Sequence, residues 1–344
     1  MKITNLVPKV EQQPINPEVE LALANSRFPQ TDLPFYRKLG RTNLTVSCLG
    51  LGGGGRISSE DALYAFDQGI NYFFYSSDLH QYFIVQWLGH FANLCGRGSS
   101  VRDQVVLATV SYIVKTPDTI FSYLYDQFSD LGIDYIDVFC WGWIDEHNAN
   151  AFEKCVSASD DIRGPNTVCQ RTVERMFGVS ERLKKMGAVR YIGASFHNHD
   201  LAQQWLNSPW LDMVMVRHNV AHRNAQTKVF PYLDANDPHR PGIVTFKSAG
   251  MHNQLWKPPV GLPSGCWQPS VPDLYRYSLS QNCVDVALAG WQTREHIDAA
   301  IKDVQKGKLT PEELDYLNLY GDLHRNRVKI QDVPSERLLV SNSK

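Results

Sequence analysis

Apolar residues in this chain come in short runs, separated by stretches where they recur every three or four positions. Eight runs stand out: Val46–Gly52, Tyr72–Tyr75, Val105–Val110, Tyr135–Trp141, Ala188–Ser195, Met213–Val216, Gly242–Phe246 and Val284–Ala289. Between them Ser59–Gln68, Thr119–Leu131, Thr172–Lys185 and Thr293–Lys306 have the spacing of amphipathic helices, with Ser59 and Asp118 placed as N-caps. Strand and helix signals in alternation predict βα units around a parallel sheet. Eight strands over roughly 300 residues is what an α/β fold of the (β/α)8 TIM-barrel type requires; a doubly wound sheet needs fewer.

The pattern is different at the start. Up to about residue 34 the chain carries Pro8, Pro14, Pro17, Pro29 and Pro34 with little periodicity, which predicts an extended arm with one short helical piece near Val19–Ala24. The expected organisation is an N-terminal arm over 1–35, a barrel over 36–325 and a tail over 326–344. The connection Asp145–Gln170 is longer than ordinary βα loops and holds the polar string SASDDIRGPNT. Loops at the C-terminal ends of barrel strands build active sites, so this segment is read either as a lid or as a surface insertion.

Net charge is -2, from 34 basic and 36 acidic residues without a long like-charge run, so no nucleic-acid track or membrane-adhesive face is expected. No apolar run approaches the ~20 residues of a membrane span, and the first residues lack an apolar signal core. A cytoplasmic protein with a small-molecule partner is the expectation. The seven cysteines are scattered without a CxxC pair, which gives no zinc-type spacing and favours reduced, structural thiols.

Candidate chemistry lies where the strands end: Tyr75, Asp78 and His80; Trp141 and Trp143; Ser195, His197 and His199; Arg217, His218 and Asn219; Lys247. Arg217 and Lys247 end neighbouring strands and suit a carboxylate or phosphate, or else are an ion-paired Arg and a solvated Lys. The pair His197 and His199, with His80, Asp78 or His218 near, has a spacing open to metal, but proton transfer by His80 or His218 is preferred and no metal is expected. Trp141, Trp143, Phe74, Tyr75 and Phe246 predict either an aromatic lining for a flat organic ligand or the packing of a barrel top.

Several segments resemble one family. Tyr36-Arg37-Lys38-Leu39-Gly40-Arg41-Thr42 through Gly53 is similar to the opening hairpin and first strand of the aldo-keto reductases. Gly69-Ile70-Asn71-Tyr72-Phe73 resembles their second barrel strand. Leu131-Gly132-Ile133-Asp134-Tyr135-Ile136-Asp137, Val189-Arg190-Tyr191-Ile192-Gly193-Ala194-Ser195, and Asn219 with Arg223 follow in family order, so the likeness runs from about 36 to 323.

The resemblance implies a general-acid Tyr made acidic by a Lys, an Asp holding that Lys, and a His that orients a carbonyl. Aligned one by one, the Asp falls on Phe74, the Tyr on Leu79, the Lys on Val110 and the His on Gly142. For NADP(H), Ser195 remains from a carboxamide-binding pair, Phe196 and Met215 replace two amides, and Phe246 takes the nicotinamide-stacking place. Gly290 and Arg294 stand in the phosphate segment, with Gln292, Ala299 and Ala300 where its other anchors belong.

The sequence therefore predicts an atypical member without the standard tetrad, running a reaction, non-redox acid–base chemistry included, on a small anionic or aromatic metabolite. Tyr75, Asp78, His80, His197 and His218 are its catalytic candidates. Arg217, Lys247, Trp141, Trp143 and Asn219 are expected to bind substrate, and Ser195, Phe246, Gly290 and Arg294 any NADP(H). Two alternatives stay open: an NAD(P)H-dependent carbonyl oxidoreductase whose donor has moved to Tyr75, Tyr82 or a histidine, and a non-catalytic binding protein.

Overall fold

The apolar runs close into a parallel barrel. The computed structural model describes residues 17–52, 57–75, 95–96, 99–111, 117–144, 170–250 and 254–338. Strands β3 (Leu49–Gly52), β4 (Tyr72–Tyr75), β5 (Val106–Ser111), β6 (Ile136–Ile144), β7 (Val189–Phe196), β8 (Met213–Arg217), β9 (Gly242–Phe246) and β10 (Val286–Ala289) pair in chain order, and β10 returns to β3. The run Val46–Gly52 turns out to be two strands. Its first part is β2 (Thr45–Ser47), antiparallel to β1 (Tyr36–Lys38); Cys48 then donates its N–H to the Phe35 carbonyl at 2.7 Å, and the chain turns into the barrel.

Helices fill the gaps as the periodicity requires: α1 (Pro17–Asn25), α2 (Ser59–Asp67), α3 (Pro117–Leu131), α4 (Gln170–Lys185), α5 (His199–Trp205), α6 (Ala225–Lys228), α7 (Val271–Leu279), α8 (Arg294–Val304), α9 (Pro311–His324) and α10 (Ser335–Leu338). Both expected N-caps shift. Ser58, not Ser59, caps α2 by accepting from the Asp61 N–H at 3.1 Å. α3 begins at Pro117, which has no N–H to satisfy, so Asp118 lies within the first turn. The arm packs on the body: Asn25 brackets the Tyr36 backbone, accepting its N–H at 2.8 Å and donating to its carbonyl at 2.9 Å.

Alternation along each strand divides the apolar side chains into two layers. Tyr72, Phe74, Ala108, Val110, Cys140, Met213, Met215 and Val244 fill the barrel, and Leu39, Leu44 and Val46 of the opening hairpin join that cluster. Phe73, Tyr75, Leu107, Phe139, Trp141, Ala194, Val214 and Val216 point outward to the helices. Gly40, at φ +48°, lets the hairpin press on β9; a Cβ there would lie 2.1 Å from the Gly242 nitrogen.

A repeated carboxylate device fixes the N-terminal ends of the strands. Asp137, Asp212 and Asp285 each accept the N–H of a residue in the preceding strand, Leu107 at 2.9 Å, Ile192 at 2.8 Å and Ile243 at 2.8 Å. Each also holds a cation: Arg102 and Arg190 at 2.9 Å for Asp137, Lys184 at 2.7 Å for Asp212, and Arg240 at 2.7 Å for Asp285. With these ends tied, the opposite ends are free to carry chemistry.

Candidate active site at the barrel mouth

The C-terminal rim has two unlike sides. At β4, β5 and β6 the inward residues are Phe74, Val110 and Cys140, all apolar and buried. Burial pushes the Cys140 thiol well above its usual range, so it is a packing group and not a nucleophile. At β8 and β9 alternation brings Arg217 and Phe246 inward, and Lys247 follows directly in a left-handed conformation at φ +59°.

The cationic side is built on a tight turn. Asn219 and His222 exchange backbone bonds at 3.2 and 3.0 Å, while the Asn219 side-chain oxygen accepts from the Ala221 and His222 N–H groups at 3.0 and 2.9 Å. The Asn219 amide donates to the Lys247 carbonyl at 2.8 Å, locking the end of β9 to this turn. Arg217 Nη2 lies 3.2 Å from His222 Nδ1, and the Arg217 carbonyl is 2.7 Å from His199 Nε2. Arg217 Nε is buried and has no hydrogen-bond partner, and among the described residues no carboxylate pairs with Arg217 or Lys247.

These groups shift one another. Burial lowers Arg217, with Arg325 adding to the effect; burial and then Arg217 lower Lys247. His222 falls to about 4, through burial first and then the guanidinium groups of Arg217, Arg325 and Arg327. A half-buried cluster of positive charge without a carboxylate partner among the described residues is costly, and an anionic ligand would relieve it.

Several residues expected at the mouth face elsewhere. Tyr75 points into the sheet–helix layer, and burial raises its phenol well above the usual range, so it is no proton donor near neutrality. Trp141 is in the same layer, donating Nε1–H to Ser180 Oγ on α4 at 3.0 Å. His218 is fully buried behind β8, stacked on Tyr277 at 5.3 Å and edge-on to Phe230 at 5.1 Å, with Nδ1 3.2 Å from Ser278 Oγ; burial lowers it to about 3. In each case the residue next along the strand from an inward one points outward, so a strand end alone does not fix which face its side chain takes. Asn219 serves the turn.

His197 is at the mouth, its ring edge-on to Phe246 at 5.1 Å. His199 instead opens α5 and binds the Arg217 carbonyl, so the two imidazoles diverge. Among the described residues no group of three or more His, Cys, Asp or Glu is placed to hold a metal. Asp78, His80, Tyr82 and the segment 145–169 lie outside the described residues, as does the side chain of Trp143. His222 and Arg325 were missed. His222 gives no strand-end signal, and Arg325 reaches the site only because α9 folds back across the 219–222 turn.

The residues that the family resemblance assigns to NADP(H) are placed unequally among the described residues. Met215 presents a thioether inside the barrel, at the position where the family resemblance implies an amide. Ser195 is buried and already engaged. Phe246 has His197 on its edge and the Lys247 ammonium 5.8 Å from its centroid. Arg294 is exposed and committed to α2, with Nε 2.8 Å from Asp61 Oδ1 and its guanidinium 5.0 Å over the Tyr64 ring. Among the described residues, exposed Gly290 and the N-terminus of α8 have the backbone character of a phosphate site, with Glu295 hydrogen-bonded to the Thr293 side chain in its first turn.

Comparison with known proteins agrees with this architecture. Among solved structures, the holo and apo forms of an aldo-keto reductase from Bacillus halodurans are 20% and 19% identical, each with TM-score 0.61 over 83% of this chain and 95% of that one. A structure from Pseudomonas aeruginosa assigned to the aldo-keto reductases is 17% identical, with TM-score 0.55 over 80% of this chain and 96% of its own. At such identities the likeness speaks for the fold. No curated protein matches the chain. No helix among the described residues is long and apolar enough to cross a membrane. The aldo/keto reductase family matches residues 58–245, more than half of the chain, in the segment that contains β4 to β8 and nearly all of β9; by that match the chain belongs to the aldo/keto reductase family.

Proposed function

We propose that this chain is an aldo/keto-reductase-fold enzyme that has left hydride transfer for acid–base chemistry on a small anionic metabolite. The observation carrying this reading is the half-buried Arg217 and Lys247 pair, without a carboxylate partner among the described residues, across the mouth from Phe74 and Val110. The family resemblance aligns its Asp and Lys with those two apolar residues, and neither moves a proton. A carboxylate or phosphate docks on Arg217 and Lys247, while an organic body lies on Phe246 and the apolar side. His197, half-buried against Phe246, is the proton-transfer group of the described mouth, and His80 remains the second candidate. Tyr75 and His218 have no part in this chemistry. The buried thiols of Cys48, Cys140, Cys266 and Cys283, which form no disulfide among the described residues, suit a reducing, cytoplasmic setting.

Titration with NADPH, read by quenching of the eight tryptophans, tests the reading together with anion binding to Arg217→Gln and Lys247→Gln. The expected results are no saturable NADPH binding in the micromolar range and loss of anion binding in both variants. Tight NADPH binding accompanied by carbonyl reduction would replace this function with the NAD(P)H-dependent one.

A further inference from the structure

We propose that His222 completes a proton-linked site for a dianion, the phosphate monoester end of a small organic molecule, with Arg217 and Lys247. This rests on the anion reading above and deepens it by naming the charge state and a third residue. The turn from Asn219 to His222 holds the imidazole against the guanidinium, with Nδ1 3.2 Å from Arg217 Nη2, and the same Asn219 ties Lys247 into the group at 2.8 Å. The backbone segments that carry these three nitrogen-bearing groups, β8, the turn and the end of β9, are thus joined by hydrogen bonds.

Charge selects between the two anion classes. Among the described residues the charged groups acting on His222 are Arg217, Arg325, Arg327 and His199, and all of them oppose its protonation. The Asp322 carboxylate on α9 is already held by Arg223 at 2.8 Å and Arg327 at 3.1 Å. One negative charge leaves Arg217 and Lys247 underbalanced, whereas two negative charges neutralise both. Arg217 Nε, buried and unpartnered, is one further donor for the several oxygens of a tetrahedral dianion.

Nδ1 of His222 faces a donor, Arg217 Nη2 at 3.2 Å, and an acceptor, Asn219 Oδ1 at 3.3 Å. Without ligand the guanidinium enforces a neutral ring whose Nδ1 accepts. When a dianion draws the guanidinium to itself, Nδ1 is released to take a proton and donate to Asn219. Binding and proton uptake are then one event. His222 starts at about 4, and a bound dianion raises it, so affinity grows as pH falls from neutrality toward 4.

Sulfate is the probe, because it stays doubly charged and does not titrate in this range. Calorimetric titration of the full chain at pH 7, 6 and 5 is expected to show sulfate affinity rising several-fold per unit, with fractional proton uptake detected in buffers of different ionisation heat. Acetate is expected to bind weakly and without uptake. His222→Asn keeps an amide near the Nδ1 position but cannot take the charge; it should bind sulfate with a flat pH profile, and His222→Gln should do the same. Sulfate affinity in the wild type that does not vary with pH yet disappears in Arg217→Gln would overturn the role of His222 alone. Equal sulfate affinity in wild type and Arg217→Gln would remove the anion site itself.

Discussion

Replacing Gly321 by alanine should both destabilise the protein and disable the cationic corner of the mouth. Gly321 lies in α9 where the helix backbone touches the turn carrying Asn219 and His222; a Cβ would sit 1.9 Å from the Val220 carbonyl oxygen and 2.3 Å from its carbon. Restoring an ordinary 3.4 Å contact to that oxygen needs a separation of 3.4 − 1.9 = 1.5 Å. Arg223 resists such movement, because it joins the turn to α9 through Val220 O at 2.9 Å, Asn318 O at 2.7 Å and both Asp322 oxygens at 2.8 and 2.9 Å. Overpacking against backbone costs up to about 3 kcal/mol, and each strained charge-assisted bond adds to it. Alanine returns about 1 kcal/mol of helix propensity. A net loss of about 2 to 4 kcal/mol follows, measurable as a lower urea midpoint at unchanged slope, with at least a several-fold fall in sulfate affinity. Gly178 is the internal control. It is in α4, and a Cβ there meets nothing within 4 Å, so Gly178→Ala should stabilise by about 1 kcal/mol. Should Gly321→Ala gain stability as Gly178→Ala does, the backbone contact is not what joins α9 to the site.

Three other outcomes follow from buried polar groups. Tyr72 places its hydroxyl inside the barrel with no hydrogen-bond partner, so Tyr72→Phe is expected to raise the urea midpoint by about 1 kcal/mol equivalent and leave anion binding intact. Asp285 accepts from both Arg240 terminal nitrogens and the Ile243 N–H, and Asp285→Ala, which leaves a buried guanidinium alone, should cost about 3 to 5 kcal/mol in the same assay. His218 is held to about 3 in the fold, against about 6.5 for an unfolded chain. The unfolded state therefore takes its proton first, and stability present above about 6.5 drains away as pH falls toward 3, by up to about 1.4 kcal/mol per unit. His218→Phe should flatten that acid limb in denaturation curves taken across the range.

Strand positions were legible in the sequence because apolar runs of this length have few other uses in a chain of alternating periodicities. Tyr72–Tyr75 and Gly242–Phe246 coincide with β4 and β9, and the short helical piece of the arm is α1, one or two residues longer at each end. The facing of side chains was less legible. It takes a single anchor per strand to set the alternation, and without it Tyr75, Trp141 and His218 read as rim residues although Phe74, Cys140 and Arg217 beside them are the ones that turn inward. A further loss came from the site's dependence on distant segments: α9 brings Arg325 and the Gly321 contact to a turn about a hundred residues earlier, and no local pattern announces that meeting. The doubling of Val46–Gly52 into two strands was hidden for a simpler reason, since no Pro, Asn, Asp or charged residue marks the break at Cys48 between them.

The uneven rim described for this barrel acts before any bond changes. On the anion-binding function proposed above, an entering molecule with a greasy part and an ionic head finds a single favourable way round, because the head gains nothing beside Phe74 and Val110 and the greasy part gains nothing beside Arg217 and Lys247. The scaffold thereby supplies alignment of the ligand, and much of the rotational freedom that a productive collision must lose is surrendered at the doorway. Reversing the charge of that one bank, at Arg217, would repel the same ionic heads and leave those molecules no favourable way in.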